Sequence, residues 1–159
     1  MDLILWRHAE ARQGLPDEAR ALNAKGRKQA SRMASWLNAN LPENCRILVS
    51  PATRTVQTAE ALGRKFRLHP DLSPDSTPEA ILAAANWPKS RETVLIVGHQ
   101  PALGQIAAML IAGLQQDWRI RRGNIWWIAH RERGESVDSA YLRAVIAPEF
   151  IVPVEQKRG

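Results

Sequence analysis

Short apolar runs alternate with longer amphipathic stretches along most of the chain. Leu3-Ile4-Leu5-Trp6 is continuous rather than alternating, which suits a strand buried on both faces. Arg46-Ile47-Leu48-Val49 and Thr93-Val94-Leu95-Ile96-Val97 repeat the pattern, the first stopped by Ser50-Pro51 and the second by Gly98. Between these runs stand helix signals. Asn23 is a good N-cap for a helix to about Asn40, in which Ala30, Met33, Ala34 and Leu37 form one stripe. A second helix is expected over Ala52–Lys65, with Val56, Ala59 and Gly63 facing inward. Thr77-Pro78 caps a third, to about Asn86. Pro101 opens a fourth, with Leu103, Ile106, Ala107 and Leu110 on one face and Gly113 at its end.

The remainder follows the same logic. Phe66–His69 is expected as a brief strand, and Ala11–Leu22 and Pro70–Thr77 as loops. Asn124–His130 and Ala140–Ala147 read as an antiparallel pair joined by the polar Arg131–Ser139. Alternating strands and helices imply a three-layer α/β sandwich, with a mostly parallel central sheet and helices on both faces. The expected organisation is one domain over residues 1–150 and a loose tail over 151–159. In such sheets ligands bind beyond the carboxyl ends of the strands.

Composition narrows the class. The chain has 159 residues, 45% hydrophobic and 24% charged, which fits one ordinary globular domain. Cys45 is the sole cysteine, so an internal disulfide framework is excluded and a reducing compartment fits. The apolar run before Arg7 is too short for a signal-peptide core, and Ala107–Leu114 falls well short of the roughly 20 residues of a membrane span. A soluble, cytoplasmic monomer without a membrane partner is expected.

Charge raises a sharper question. Lys and Arg total 22 against 16 Asp and Glu, for a net charge of +6. That excess suggests an anionic partner, unless the arginines merely solvate helix faces. The run Arg119-Ile120-Arg121-Arg122 beside Trp118 has no accompanying nucleic-acid motif and reads as a surface loop entering a strand. No nucleic-acid partner is expected. Trp126 and Trp127 fall on opposite faces of their strand, so at least one belongs to the core.

Three of the strands end in polar residues: Arg7-His8-Ala9-Glu10, Ser50-Pro51-Ala52-Thr53-Arg54-Thr55 and Gly98-His99-Gln100-Pro101. Two arginines and two histidines should therefore meet at one sheet edge. Metal-free phosphoryl transfer needs such a set, because the charge of the moving group sits on three oxygens that must be stabilised electrostatically. Arginine offers a planar fork of donors for those oxygens, and a neutral imidazole is a competent nucleophile. No metal and no cofactor are expected: arginines crowd the place where a cation would sit, although His8, Glu10 and His99 are a conceivable zinc set.

The same residues resemble the signatures of the histidine phosphatase superfamily, whose fold is the phosphoglycerate-mutase-like α/β sandwich. Its Arg-His-Gly opening stands here as Arg7-His8-Ala9, with alanine for glycine. Its Ser-Pro followed by Arg-x-x-x-Thr-Ala stands as Ser50-Pro51 and Arg54 to Thr58-Ala59, and its Gly-His as Gly98-His99. The short length and the segment Arg20-Ala21-Leu22-Asn23-Ala24-Lys25-Gly26 look most like the SixA branch of phosphohistidine phosphatases. The resemblance implies His8 as a transiently phosphorylated nucleophile, with Arg7, Arg54 and His99 gripping the phosphoryl oxygens and Arg20 as an auxiliary contact. It also implies a phosphorylated substrate, a phosphohistidine protein in the SixA case.

Two other readings stand beside this one. A small-molecule phosphomonoesterase would need a proton donor for its leaving group, and Glu10, Asp17, Glu18, Asp71, Asp75 and Glu79 are the candidates. A non-catalytic phosphate-binding adaptor would be expected to have lost His8, Arg54 or His99, and all three are present. His69 and His130 read as structural or surface residues.

Overall fold

In the computed structural model, the backbone is described for residues 1–133 and 136–152, and side chains for those residues outside 132–139. The expected tail falls mostly on 153–159, outside the described residues. Six strands form one sheet: β1 (Asp2–Arg7), β2 (Arg46–Val49), β3 (Arg67–Leu68), β4 (Val94–Gly98), β5 (Ile125–Arg133) and β6 (Ser136–Ile146). Among the described residues, four α-helices accompany them: α1 (Ala24–Asn40), α2 (Thr53–Glu60), α3 (Pro78–Ala84) and α4 (Ala102–Ala112).

The strand order is β3-β2-β4-β1-β5-β6. The first four are parallel, whereas β5 and β6 are antiparallel additions on the far side of β1. Side chains alternate along β1. Leu3 and Leu5 enter the layer that contains Leu103 and Ile106 of α4 and Ile81 of α3. Ile4 and Trp6 enter the opposite layer, with Met33 and Leu37 of α1 and Ala59 of α2. All four of these β1 residues are fully buried, each worth about 1.5–3 kcal/mol if it is an ordinary apolar side chain. The continuous apolar run is thus explained by a strand covered on both faces. Trp126 and Trp127 divide between the same two layers.

Helix starts match their sequence signals better than helix ends. The Asn23 side chain accepts from the Gly26 N–H, and Thr77 does the same for Ala80. By contrast α2 stops at Glu60, five residues before the expected end. Tight bonds from Leu62 N–H to the Ala59 carbonyl and from Gly63 N–H to the Glu60 carbonyl close it. Gly63 adopts φ +65, so it terminates the turn rather than lining an inner face.

Register places the site. Arg7 pairs with Gly98 across β1 and β4, and Val49 pairs with Val97 across β2 and β4. The residues that follow therefore emerge side by side. His8 N–H donates to the Gly98 carbonyl at 3.1 Å, and Ser50 N–H to the Val97 carbonyl at 3.1 Å.

Candidate active site

Four polar side chains converge beyond these strand ends. His8 and His99 lie with ring centroids 5.3 Å apart, and both are buried. Arg54 comes from the first turn of α2 and is 4% exposed, far from the solvated cation such a position would otherwise hold. Arg7 closes β1, and its Nη1 donates to the Ile120 carbonyl at 2.9 Å.

The spacing of the Arg54-x-x-x-Thr58 signature has a physical reason. One helical turn separates the two residues, and Thr58 Oγ1 donates to the Arg54 carbonyl at 2.7 Å. The same hydroxyl accepts from the Ala9 N–H at 3.1 Å, so it ties the start of α2 to the residue after His8. Ala9 itself is fully buried in a small cluster with Leu22 and Ala30. Gly26 serves the other flank: a Cβ there would run into the Glu10 backbone carbonyl.

Hydrogen bonding fixes the tautomer of His8. Its Nδ1 lies 2.8 Å from the Ala9 carbonyl. A carbonyl oxygen can only accept, so the proton is on Nδ1 and the lone pair is on Nε2. Burial pushes the His8 pKa down to about 3, and the charges of Arg54 and Arg7 and the His99 ring act in the same direction against the Ala9 bond. His99 is likewise pushed down to about 3, by burial first and then by Arg54. Both rings are neutral at pH 7. Arg7 is lowered to about 10 by burial and by the charges of Arg122, Arg119 and Arg54, and it remains a cation.

Among the described residues, the buried side-chain nitrogens and oxygens without a hydrogen-bond partner are Arg7 Nε, Arg54 Nε and His99 Nδ1. Buried polar atoms are nearly always satisfied. Here the exceptions belong to three of the five site residues named from the sequence.

Ser50, which sequence reasoning gave no role, and two residues it named, Asp17 and Arg20, complete the arrangement. Ser50 Oγ sits 2.7 Å from His99 Nε2 and also accepts from the Ala52 N–H at 3.3 Å. Its only sequence signal was its place in the Ser-Pro signature. Asp17, in a 3-10 turn over Asp17–Ala19, receives Arg54 Nη2 at 3.1 Å through its carboxylate and Nη1 at 2.9 Å through its carbonyl. Arg20 Nε binds the other Asp17 oxygen at 2.9 Å, while its Nη1 donates to the Arg12 carbonyl. Arg20 is thus placed next to Arg54 through a shared carboxylate.

The candidate acids scatter. Arg20 and Arg54 hold the Asp17 carboxyl below its usual range, and Asn23 and Lys25 do the same for Glu10. Asp71 closes its own turn: its N–H donates to His69 Nδ1, and its carbonyl accepts from Ser76. His69 is therefore a structural cap. His130 is buried edge-on against Trp87. Among the described residues, no three or more His, Cys, Asp and Glu side chains are grouped to hold a metal ion. No helix of the described residues is long and apolar enough to cross a membrane.

Comparison with known proteins gives the family. The pattern of the histidine phosphatase superfamily (branch 1) matches residues 3–76. The phosphohistidine phosphatase SixA of Escherichia coli (strain K12) is 30% identical over 122 residues, 71% of this chain and 76% of that protein. The phosphohistidine phosphatase SixA homolog of Haemophilus influenzae is 30% identical over 126 residues, 69% of this chain and 77% of that protein. A solved structure of the protein histidine phosphatase SixA complexed with tungstate superposes with a TM-score of 0.76 at 24% identity, covering 93% of this chain and 97% of that one. It shares the three-layer fold. The chain belongs to the histidine phosphatase superfamily, in its SixA-type branch, and is a phosphatase of that superfamily.

Proposed function

We propose that the protein hydrolyses phosphohistidine in proteins through a phosphorylated His8, without a metal. The observation that carries this reading is the set of unpartnered nitrogens on Arg7, Arg54 and His99 around a histidine whose Nε2 lone pair is free. Arginine N–H groups only donate, so what satisfies them is an anion or another acceptor. A phosphoryl group offers three oxygens to such donors, and its transfer is catalysed mainly by positioning and charge stabilisation.

The proposed steps balance without a cofactor. His8 Nε2 attacks phosphorus as the bond to the substrate imidazole breaks, and a substrate ring protonated on its other nitrogen departs neutral. His8 keeps its Nδ1 proton on the Ala9 carbonyl, so the intermediate is a phospho-imidazolium. Water then attacks phosphorus, His8 leaves as a neutral imidazole, and both water hydrogens end on the released phosphate. Burial and nearby cations keep free His8 unprotonated and ready for the first step.

The leaving group decides between substrate classes. An alkoxide needs a proton as it departs, worth typically about 10²–10⁴-fold from a positioned acid. Imidazole, with a conjugate-acid pKa near 6.5, needs much less help. The carboxyl beside Arg54 belongs to Asp17, which its two arginines hold as an anion and so make a poor acid. Phosphoramidate and a phosphohistidine protein should therefore be hydrolysed well above glycerol phosphate, with nitrophenyl phosphate between. Asp71→Asn and Asp75→Asn should leave the P–N substrates unaffected. Best activity on alkyl esters, or dependence of those esters on either aspartate, would favour the phosphomonoesterase reading instead.

A further inference from the structure

The run Arg119-Ile120-Arg121-Arg122 has no part in the steps above, yet the fold gives it a definite place. A cleft of about 480 Å³ reaches Arg7 of the candidate active site, between α1 and this loop. Lys25, Lys28 and Arg32 stand along its helix side, at i, i+3 and i+7. Arg119, Arg121 and Arg122 line it from the loop. Arg7 lines it too, so the candidate active site and the cleft share one guanidinium. Two carboxylates, Glu10 and Glu149, stand against these seven cations, and Glu10 is already engaged by Asn23 and Lys25.

Ordinary surface solvation does not account for this grouping. First, α1 has no acidic residue in its first turn, and Lys25 opposes the helix dipole there. Second, the arginine loop is anchored rather than free. Ile120 is fully buried, and its carbonyl takes the Arg7 guanidinium. Gly123 N–H is shared between the carbonyls of Arg7 and His8, in a backbone conformation at φ +78 that favours glycine. Third, Arg119 and Arg122 lie close enough to Arg7 to lower its proton affinity. Like charges held together on a fixed frame repel, and a bound polyanion relieves that repulsion.

We propose that this cleft is a second anion site, which takes the distal phosphates of a chain of two or more linked phosphate groups while the terminal phosphate reaches Arg7. The volume lies in the range of small-ligand sites, about 300–1,000 Å³, and the concave shape suits a compact ligand better than a protein face. Five of the seven cations are arginines, whose forks match phosphate oxygens. The shared Arg7 calls for anions in direct succession, as in phosphoanhydrides. Side-chain carboxylates on a peptide are spaced farther apart.

Calorimetric titration in metal-free buffer tests this without reliance on turnover, so its result is independent of the hydrolysis reading. Inorganic tripolyphosphate should bind about tenfold or more tightly than orthophosphate. A variant carrying Lys28→Gln, Arg32→Gln and Arg121→Gln should lose most of that gap, while its circular dichroism and orthophosphate affinity stay unchanged. A parallel loss for ADP would support a nucleoside-borne chain; a loss for tripolyphosphate alone would support a bare one. Equal affinity for the two phosphates, or a gap that survives the variant, overturns the proposal. So does a pentaglutamate peptide or a short single-stranded oligonucleotide that binds as tightly as tripolyphosphate.

Discussion

The two ends of β1 solve the same problem in opposite ways. At its start, the Asp2 carboxylate is 8% exposed and accepts from Trp127 Nε1 at 2.8 Å, Arg131 Nη1 at 2.8 Å and Arg143 Nη1 at 2.7 Å. Burial pushes this carboxyl up, yet those bonds and charges outweigh it and hold it below its ordinary range. Arg143 also stacks over the Trp127 ring at 5.0 Å. At the other end, Arg7 and Arg54 share a buried corner with two neutral histidines, and three of the nitrogens there have no partner. A buried charge whose bonds are completed within the fold stabilises structure. One that is left incomplete leaves a donor that a bound anion can satisfy.

Breaking the chemical end should have the largest effect. His8→Ala should lower turnover by about 10⁴-fold or more, since it removes the atom proposed to attack phosphorus. Labelled substrate followed by peptide mapping should place acid-labile phosphate on His8. Label on His99 or His130 would remove the basis of the contrast.

Arg54→Lys comes next, with an expected loss of about 10²–10³-fold in kcat/KM, because a point charge cannot replace the fork. Its thermal midpoint should fall only modestly, because lysine keeps the charge but not both bonds to Asp17. Asp2→Ala should show the reverse: little change in kcat, and a stability loss of about 1–3 kcal/mol in urea unfolding as Trp127 Nε1 is left buried without its acceptor. If Asp2→Ala damaged kcat as Arg54→Lys does, the two ends would not be distinct.

The smallest effect is one of pH. His8 and His99 are lowered to about 3 in the fold from an ordinary value of 6.5. Unfolding frees both rings to take up protons below that ordinary value. Their contribution to stability is therefore complete above pH 6.5 and is lost as the pH falls towards 3. Urea midpoints of the protein and of His99→Gln, compared at pH 7.5 and 4.5, should show a steeper acid loss in the unsubstituted chain. Parallel losses would mean that His99 takes up its proton in the folded state as well.

What the sequence revealed about this contrast was uneven, for a physical reason. Arg7, His8 and His99 follow directly from apolar strands, and Arg54 opens a helix after one, so local pattern and the strand-end rule suffice to bring them together. Asp17 lies in an irregular loop, and its bond to Arg54 spans 37 positions, which no periodicity encodes. The same holds for Arg119 and Arg122 around Arg7. The overrun of α2 has a simpler cause: Ala61 and Leu62 continue the helical composition, and only the backbone turn at Gly63 ends it.

The backbone bond from His8 to Gly98 sets a tolerance as well as a position. Neighbouring strands stand about 4.8 Å apart, and both site histidines lie one residue beyond a paired position. Their separation is thus inherited from the stiffest part of the molecule, where opening requires the whole sheet to come apart. If the proposed mechanism holds, the phosphoryl group must be met by two rings whose separation the pairing of β1 with β4 sets.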